Sequence, residues 1–292
     1  MIHNRVAIAK VCGDVAGAVQ NIIGLSGSLE LKRNSRVIIK PNVCNSKNPH
    51  GMVNTHFGVI KAIIDLAWKW TERIVVVESD NISGSAEKRM NKSGLLNELK
   101  SMGVEFINLS HDEAEVHKVA GVELMIPLTI LKADHFINLP KIKTCGHTLV
   151  TLSLKNLFGI LQRAKKDTLH RHLDEILPYL AKIIQHDLVV VDGVIAMEGN
   201  GPVIGTPKNL DIVVGGTNPV AVDAVCTAIM GFSPLEVRHL VRANKMGLGE
   251  INLDRIEVLG EDWKDISQVF ERPYSLRANL RSIRSVGKMF LS

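Results

Sequence analysis

Lys141, Lys143, Thr144, His147 and Thr148 crowd into one short polar stretch, Lys-Ile-Lys-Thr-Cys-Gly-His-Thr, between two apolar runs. Ammonium groups, hydroxyls and an imidazole together make a receptor for a carboxylate or a phosphate. A lone Lys-Ile-Lys is ordinarily a solvated basic loop; its crowding between apolar elements favours a site. A helix from about residue 149 would point its first free N–H groups at the same stretch. On that helix Thr148, Thr151 and Lys155 would share one face, at spacings of three and seven residues, with Asn156 beside them. Lys40 and Asn42 repeat the pairing of cation and amide after an earlier apolar run. The expected substrate-binding set is therefore Lys40, Asn42, Lys141, Lys143, Thr144, Thr148, Lys155 and Asn156.

Proton transfer needs a second set. An imidazole is the simplest general base near neutral pH, which singles out His147. Asp192 closes an apolar run, and Glu198 stands among glycines that let a ligand approach the backbone; these two are the expected acidic partners. Asp223 lies in the first turns of a helix, where the dipole alone favours a carboxylate, so it ranks below them. A metal site could draw on His147, His170 or His172 with Asp192 or Glu198, and Cys44 and Cys145 are further candidate ligands. No compact ligand spacing supports one.

The elements that must position these groups alternate along the chain. Apolar runs at 6–9, 36–40, 74–78, 104–108, 134–139, 188–192, 210–215 and 255–259 read as strands. Helical spacing occupies 14–25, 56–70 (with Thr55 as cap), 93–102, 174–185 and the segment after Thr217 or Asn218, where Pro219 fits the first turn. A hairpin is expected at 116–126 around Ala120-Gly121. Pro41 and Pro140 stop their strands, and 41–54 and 193–207 are too rich in Asn, Gly and Pro for regular structure. The fold class that follows is α/β, a mainly parallel, doubly wound Rossmann-like sheet with helices on both faces and a small hairpin insertion. In such sheets ligands bind beyond the carboxyl ends of the strands, so the loops after Lys40, Glu78, Leu139 and Asp192 should share one rim.

Five motifs, in order, carry a resemblance: Lys-Pro-Asn at 40–42, Leu-Pro-Lys-Ile-Lys-Thr at 139–144, Lys-Asn-Leu-Phe-Gly at 155–159, Asp-Gly with Met-Glu-Gly-Asn-Gly-Pro at 192–202, and Asn-Pro-Val-Ala-Val-Asp at 218–223. Together they resemble the family catalogued as domain of unknown function 362, over about residues 6–260. The resemblance implies an α/β fold and no defined reaction. Some members of that family carry a ferredoxin-like segment, which implies an iron–sulfur cluster. This chain has no Cys-x-x-Cys-x-x-Cys run and departs from those members. On this basis residues 1–262 are one α/β domain and 263–292 a basic amphipathic tail. In the tail Leu276, Leu280, Ile283, Gly287 and Phe290 trace one helical line, and Arg277, Arg281, Arg284 and Lys288 the next.

Composition narrows the function. The 292 residues are 46% hydrophobic and 4% aromatic, with 35 Lys and Arg against 30 Asp and Glu. That surplus is too small and the stacking residues too few for a strong nucleic-acid signal. No run of about 18 apolar residues marks a transmembrane segment, and the first residues lack a signal-peptide core. Cys12, Cys44, Cys145 and Cys226 show no pairing pattern, which fits a reducing cytoplasm. The leading expectation is an enzyme acting on a small anionic, carboxylate- or phosphate-bearing molecule, with a homo-oligomer open. The alternatives are an iron–sulfur or other redox protein in which Cys12, Cys44 and Cys145 converge, and a non-catalytic ligand-binding module. The cofactor, cluster or divalent metal, is left open.

Overall fold

The computed structural model describes residues 4–27, 29–162 and 166–279. In chain order it runs β1 (Arg5–Lys10), α1 (Val15–Ser26), β2 (Val37–Pro41), α2 (Phe57–Ala67), β3 (Ile74–Glu78), α3 (Ala86–Lys92), α4 (Leu95–Ser101) and β4 (Glu105–Asn108). The expected hairpin follows as β5 (Ala114–Val119) and β6 (Val122–Pro127), then α5 (Leu128–Leu131), β7 (His135–Leu139), β8 (Lys141–Cys145), β9 (Leu149–Val150) and α6 (Leu152–Leu157). The last part holds α7 (Leu173–Ile183), β10 (Leu188–Glu198), β11 (Thr206–Gly216), α8 (Pro219–Ile229), α9 (Arg238–Lys245), β12 (Glu257–Gly260) and α10 (Trp263–Ile266).

The main sheet has the order β12-β1-β11-β10-β7-β2-β3-β4, with β8 and β9 attached beside β10. Along that order every neighbour pair is parallel except the two made by β11, which runs against both β1 and β10. Strands β2, β3 and β7 are buried at every residue, as a parallel sheet covered on both faces requires. Alternation sorts their side chains into two cores. Val37, Ile39 and Val76 face the helices α1, α2 and α4 through Val19, Ile22, Ile60, Ile63 and Leu99. Ile38, Val75, Val77 and Phe136 face the other layer, built from α6, α7, α8 and α9.

Helix ends follow local chemistry, with corrections. Asp14 caps α1 by accepting from Gly17 N, and Gly27 ends it in the left-handed region at φ 62°. The expected cap Thr55 is not the cap of α2: His56 accepts from Gly58 N instead, and Thr55 Oγ1 binds the Leu139 carbonyl. The helix expected at 93–102 is α4 (95–101), and a further helix not expected from the sequence, α3 (86–92), precedes it across Gly94, whose φ of 81° no ordinary residue adopts cheaply. Asn218, the expected cap, accepts from both Val220 N and Ala221 N at the start of α8. The stretch 193–207 is a loop only at 199–205. Residues 193–198 prolong β10 and pair with 206–212 across a bulge after Gly193, so Asp192 lies mid-strand and Glu198 ends the strand. Beyond Asn279 the expected tail helix lies outside the described residues, which show its first turn at 276–279.

Candidate functional site

The stretch 141–145 is a strand, not a loop. Pro140 has no N–H to give, but its carbonyl accepts from Asp192 N, so the chain bends and resumes pairing beside β10. The helix after it starts at Leu152 rather than at residue 149, so Thr148 and Thr151 both precede the helix that carries Lys155. Its first N–H groups are also taken. Asp223, reaching from α8, accepts from Ser153 N at 2.8 Å, from Leu154 N at 2.9 Å and from Ser153 Oγ. Burial pushes that carboxyl up to about 7 while these donors pull it down.

Lysines from three elements, β2, β8 and α6, converge at the carboxyl ends of the parallel strands. Lys40 Nζ, at the end of β2, lies 3.0 Å from Glu78 at the end of β3. Lys141 Nζ lies 2.6 Å from Asp192 Oδ2, and both side chains are fully buried. Asp192 also accepts from His56 N and Val194 N. Lys143 Nζ meets Asn42 Oδ1 at 2.7 Å, the Val53 carbonyl at 2.7 Å and Cys44 Sγ at 3.1 Å. The amide chain continues: Asn42 donates to Asn156, and Asn156 to Asn138 and the Lys40 carbonyl. Burial lowers the affinity of Lys40 and Lys141 for their protons, and Glu78 and Asp192 oppose that fall.

Two groups that sequence reasoning passed over complete the cluster. Arg89 is fully buried and grips three backbone carbonyls, those of Val43, Gly84 and Ser79. Lys166 donates to Ser79 Oγ at 2.7 Å and to the Phe158 carbonyl at 3.4 Å. Nothing local announces either: Arg89 sits in a polar helical run and Lys166 in a basic one, and their partners lie up to 87 residues away. Glu78 carried a signal, as a carboxylate ending an otherwise apolar strand, like Asp192 in the sequence.

Lys155 differs from its neighbours. It is half-buried on α6, 4.3 Å from the centre of the Phe158 ring, and has no hydrogen bond or ion pair among the described residues. Lys40 and Lys143 lie close enough to lower its proton affinity, behind the larger effect of burial. His147 is exposed in the turn between β8 and β9, its ring stacked on that of His170 at 4.1 Å and 6°. Partial burial and the Lys155 charge hold it below the ordinary imidazole value, hence neutral at physiological pH.

The remaining predicted residues lie apart from the lysines or face other partners. Thr144 Oγ1 holds the Gly199 carbonyl and Thr148 Oγ1 the Val150 carbonyl. Glu198 accepts from Lys208 Nζ and from Glu271 N, tying the β10–β11 hairpin to the C-terminal segment. His172 lies just before α7. Cys12 is exposed, Cys44 half-buried, and Cys145 and Cys226 buried. No three His, Cys, Asp or Glu side chains gather as a metal site among the described residues. The cysteines thus do not form the donor set that an iron–sulfur cluster needs. A cavity of about 410 Å³ opens between the end of α7 and the start of α8, lined by Lys182, His186, Thr217 and Leu248, and includes none of the clustered lysines.

These features define an α/β protein with a mostly parallel sheet and a cation-rich edge at its carboxyl end. The chain belongs to the family described as domain of unknown function DUF362, which matches residues 37–228. It is similar to a thylakoid-associated protein of Synechocystis sp., 27% identical over 225 residues that make up 75% of this chain and 70% of that one. Among solved structures it is similar to the lactate racemase apoprotein of Thermoanaerobacterium thermosaccharolyticum, with a TM-score of 0.44 and 12% identity over 77% of this chain; it spans 57% of that structure's length. No helix among the described residues is long and apolar enough to cross a membrane.

Proposed function

We propose that this protein is an enzyme acting on a small carboxylate- or phosphate-bearing molecule bound at the lysine-rich edge of the sheet. The observation that supports it is the imbalance of charge around Lys155. Lys40 and Lys141 have carboxylate partners; Lys143, Lys155 and Arg89 have none within ion-pair distance among the described residues. Buried cations without counter-charge are costly, and an anion entering beside Lys155 would supply it. Asn42, itself held by Asn156, then serves to aim Lys143, Glu78 to hold Lys40 and Asp192 to hold Lys141. His147, next to Lys155 and neutral, is placed to carry a proton, the role expected of a general base.

The test is thermal unfolding with and without sulfate, phosphate or a small dicarboxylate. One of these anions raises the midpoint of the unaltered protein, and Lys155→Met removes that gain while Lys61→Met, a change at an exposed helix pair, keeps it. Equal gains in the parent and Lys155→Met would place the anion elsewhere.

A further inference from the structure

Anion binding leaves Lys166 without a task, although it is buried against the same ring as Lys155. The two Nζ atoms lie 4.3 Å (Lys155) and 5.9 Å (Lys166) from the Phe158 centroid, and His170, stacked on His147, lies 5.4 Å from that ring. A single aromatic side chain thus gathers an ammonium without a counter-ion, an amine and an imidazole pair. The Lys166 Nζ has a hydroxyl oxygen and a carbonyl oxygen as partners and no carboxylate in ion-pair reach among the described residues. Burial lowers its proton affinity most, to about 7; Glu78 opposes the fall, and Lys40, Lys155 and Arg89 add to it.

A Ser79–Lys166 acyl-transfer dyad fits these contacts less well. The Ser79 hydroxyl donates to the Gly159 carbonyl rather than to the amine, and Ser79 N is engaged by Glu78. A serine nucleophile there would lack both its base contact and that N–H as an oxyanion donor.

We propose that Lys166 forms an imine with the substrate, and that the substrates of this edge are small acids bearing an aldehyde or ketone group, of the 2-oxo acid class. The inference rests on the anion-binding reading, in which Lys155 anchors the carboxylate. The Lys166 lone pair attacks the carbonyl carbon and a C–N bond forms. The carbonyl oxygen leaves with both amine hydrogens as water, giving a C=N bond to the lysine. The crowd of cations matters here because only the neutral amine is a nucleophile. At pH 7 about half of Lys166 is neutral, against roughly one in 2,500 for a lysine with an ordinary pKa of about 10.4.

The experiment incubates the full chain at pH 7 with pyruvate and sodium cyanoborohydride, which reduces an imine to a stable amine, and maps the adduct by mass spectrometry. Lys166 is expected to carry the adduct at a rate at least about 100-fold above that of exposed lysines, as its neutral fraction requires. Sulfate should slow the labelling, and Lys166→Arg should abolish it. Lys166 left unmodified, or modified no faster than surface lysines, overturns the proposal; the map on the unaltered protein decides this even if Lys166→Arg does not fold. Sulfate stabilisation that depends on Lys155, beside an unlabelled Lys166, removes the imine alone. Labelling at Lys166 that sulfate neither slows nor accompanies with stabilisation removes the anion anchor and leaves the imine standing.

Discussion

Lys141→Met tests whether burial sets the strength of the ion pairs at the sheet edge. The Lys141–Asp192 contact is 2.6 Å with both side chains fully buried; the Lys61–Asp65 contact is also 2.6 Å but about half exposed, on α2. Methionine keeps most of the lysine stem, so the packing loss is small. The ammonium loss leaves Asp192 as a buried carboxylate held by two backbone N–H groups, from His56 and Val194. Breaking a buried pair from one side costs about 3–5 kcal/mol, and those two donors place this case near about 3 kcal/mol. With a urea slope of about 3 kcal/mol per M, the unfolding midpoint should fall by about 1 M. Lys61→Met should cost no more than about 0.5 kcal/mol, a shift of about 0.2 M. Adding Asp192→Asn to Lys141→Met should restore part of the loss, because it removes the stranded charge. Equal losses in Lys141→Met and Lys61→Met, or a double variant weaker than Lys141→Met alone, would refute the reasoning.

Two further outcomes follow from other sites. His239 is fully buried with neither ring nitrogen partnered among the described residues, and burial first, then Lys155, pushes it down to about 3. The unfolded chain takes up that proton from about pH 6.5 downward and the folded chain does not, so stability is full above pH 6.5 and falls by about 1.4 kcal/mol per unit toward pH 3. The difference between the unfolding free energies from urea titrations at pH 7.5 and pH 5 should therefore narrow by about 2 kcal/mol in His239→Leu; an unchanged difference argues against a neutral buried ring. At Gly201 an added Cβ would collide with the Thr144 carbonyl oxygen, whereas at Gly24 in α1 it meets nothing within 4 Å. Gly201→Ala should lower the thermal midpoint by a few degrees, about 1–3 kcal/mol, while Gly24→Ala should raise it slightly. Matching shifts would show that the hairpin tip gives way.

The sheet was legible because its strands are apolar runs closed by a proline or a carboxylate. So was the convergence of Lys40, Lys141 and Lys143, since carboxyl ends of parallel strands meet at one edge. What misled was composition. The glycines and prolines of 193–207 suggested a loop throughout, which holds at 199–205, whereas 193–198 have a partner in 206–212 that only the folded chain brings alongside. Lys141 to Cys145 read as a loop because Pro140 and two lysines end the apolar run; Lys141 is buried against Asp192, 51 residues away, and Lys143 against Asn42, 101 residues away. Asp223 was discounted as a helix-dipole residue of α8, yet its oxygens close the start of α6. In each case a side chain from a distant element satisfied a group whose own neighbours gave no sign of it.

The position of β1 sets the order in which this chain can assemble. Its residues 6–10 pair with 212–216 on one side, and 5–8 pair with 257–260 on the other. As the chain leaves the ribosome, β2, β3, β4 and β7 all emerge between residues 37 and 139 and already have each other as neighbours. The first strand has none until β11 appears, and its outer edge stays open until β12 does. A strand bare on both edges invites pairing with another chain. Synthesis therefore exposes β1 longest, and the sheet closes last around the residues made first.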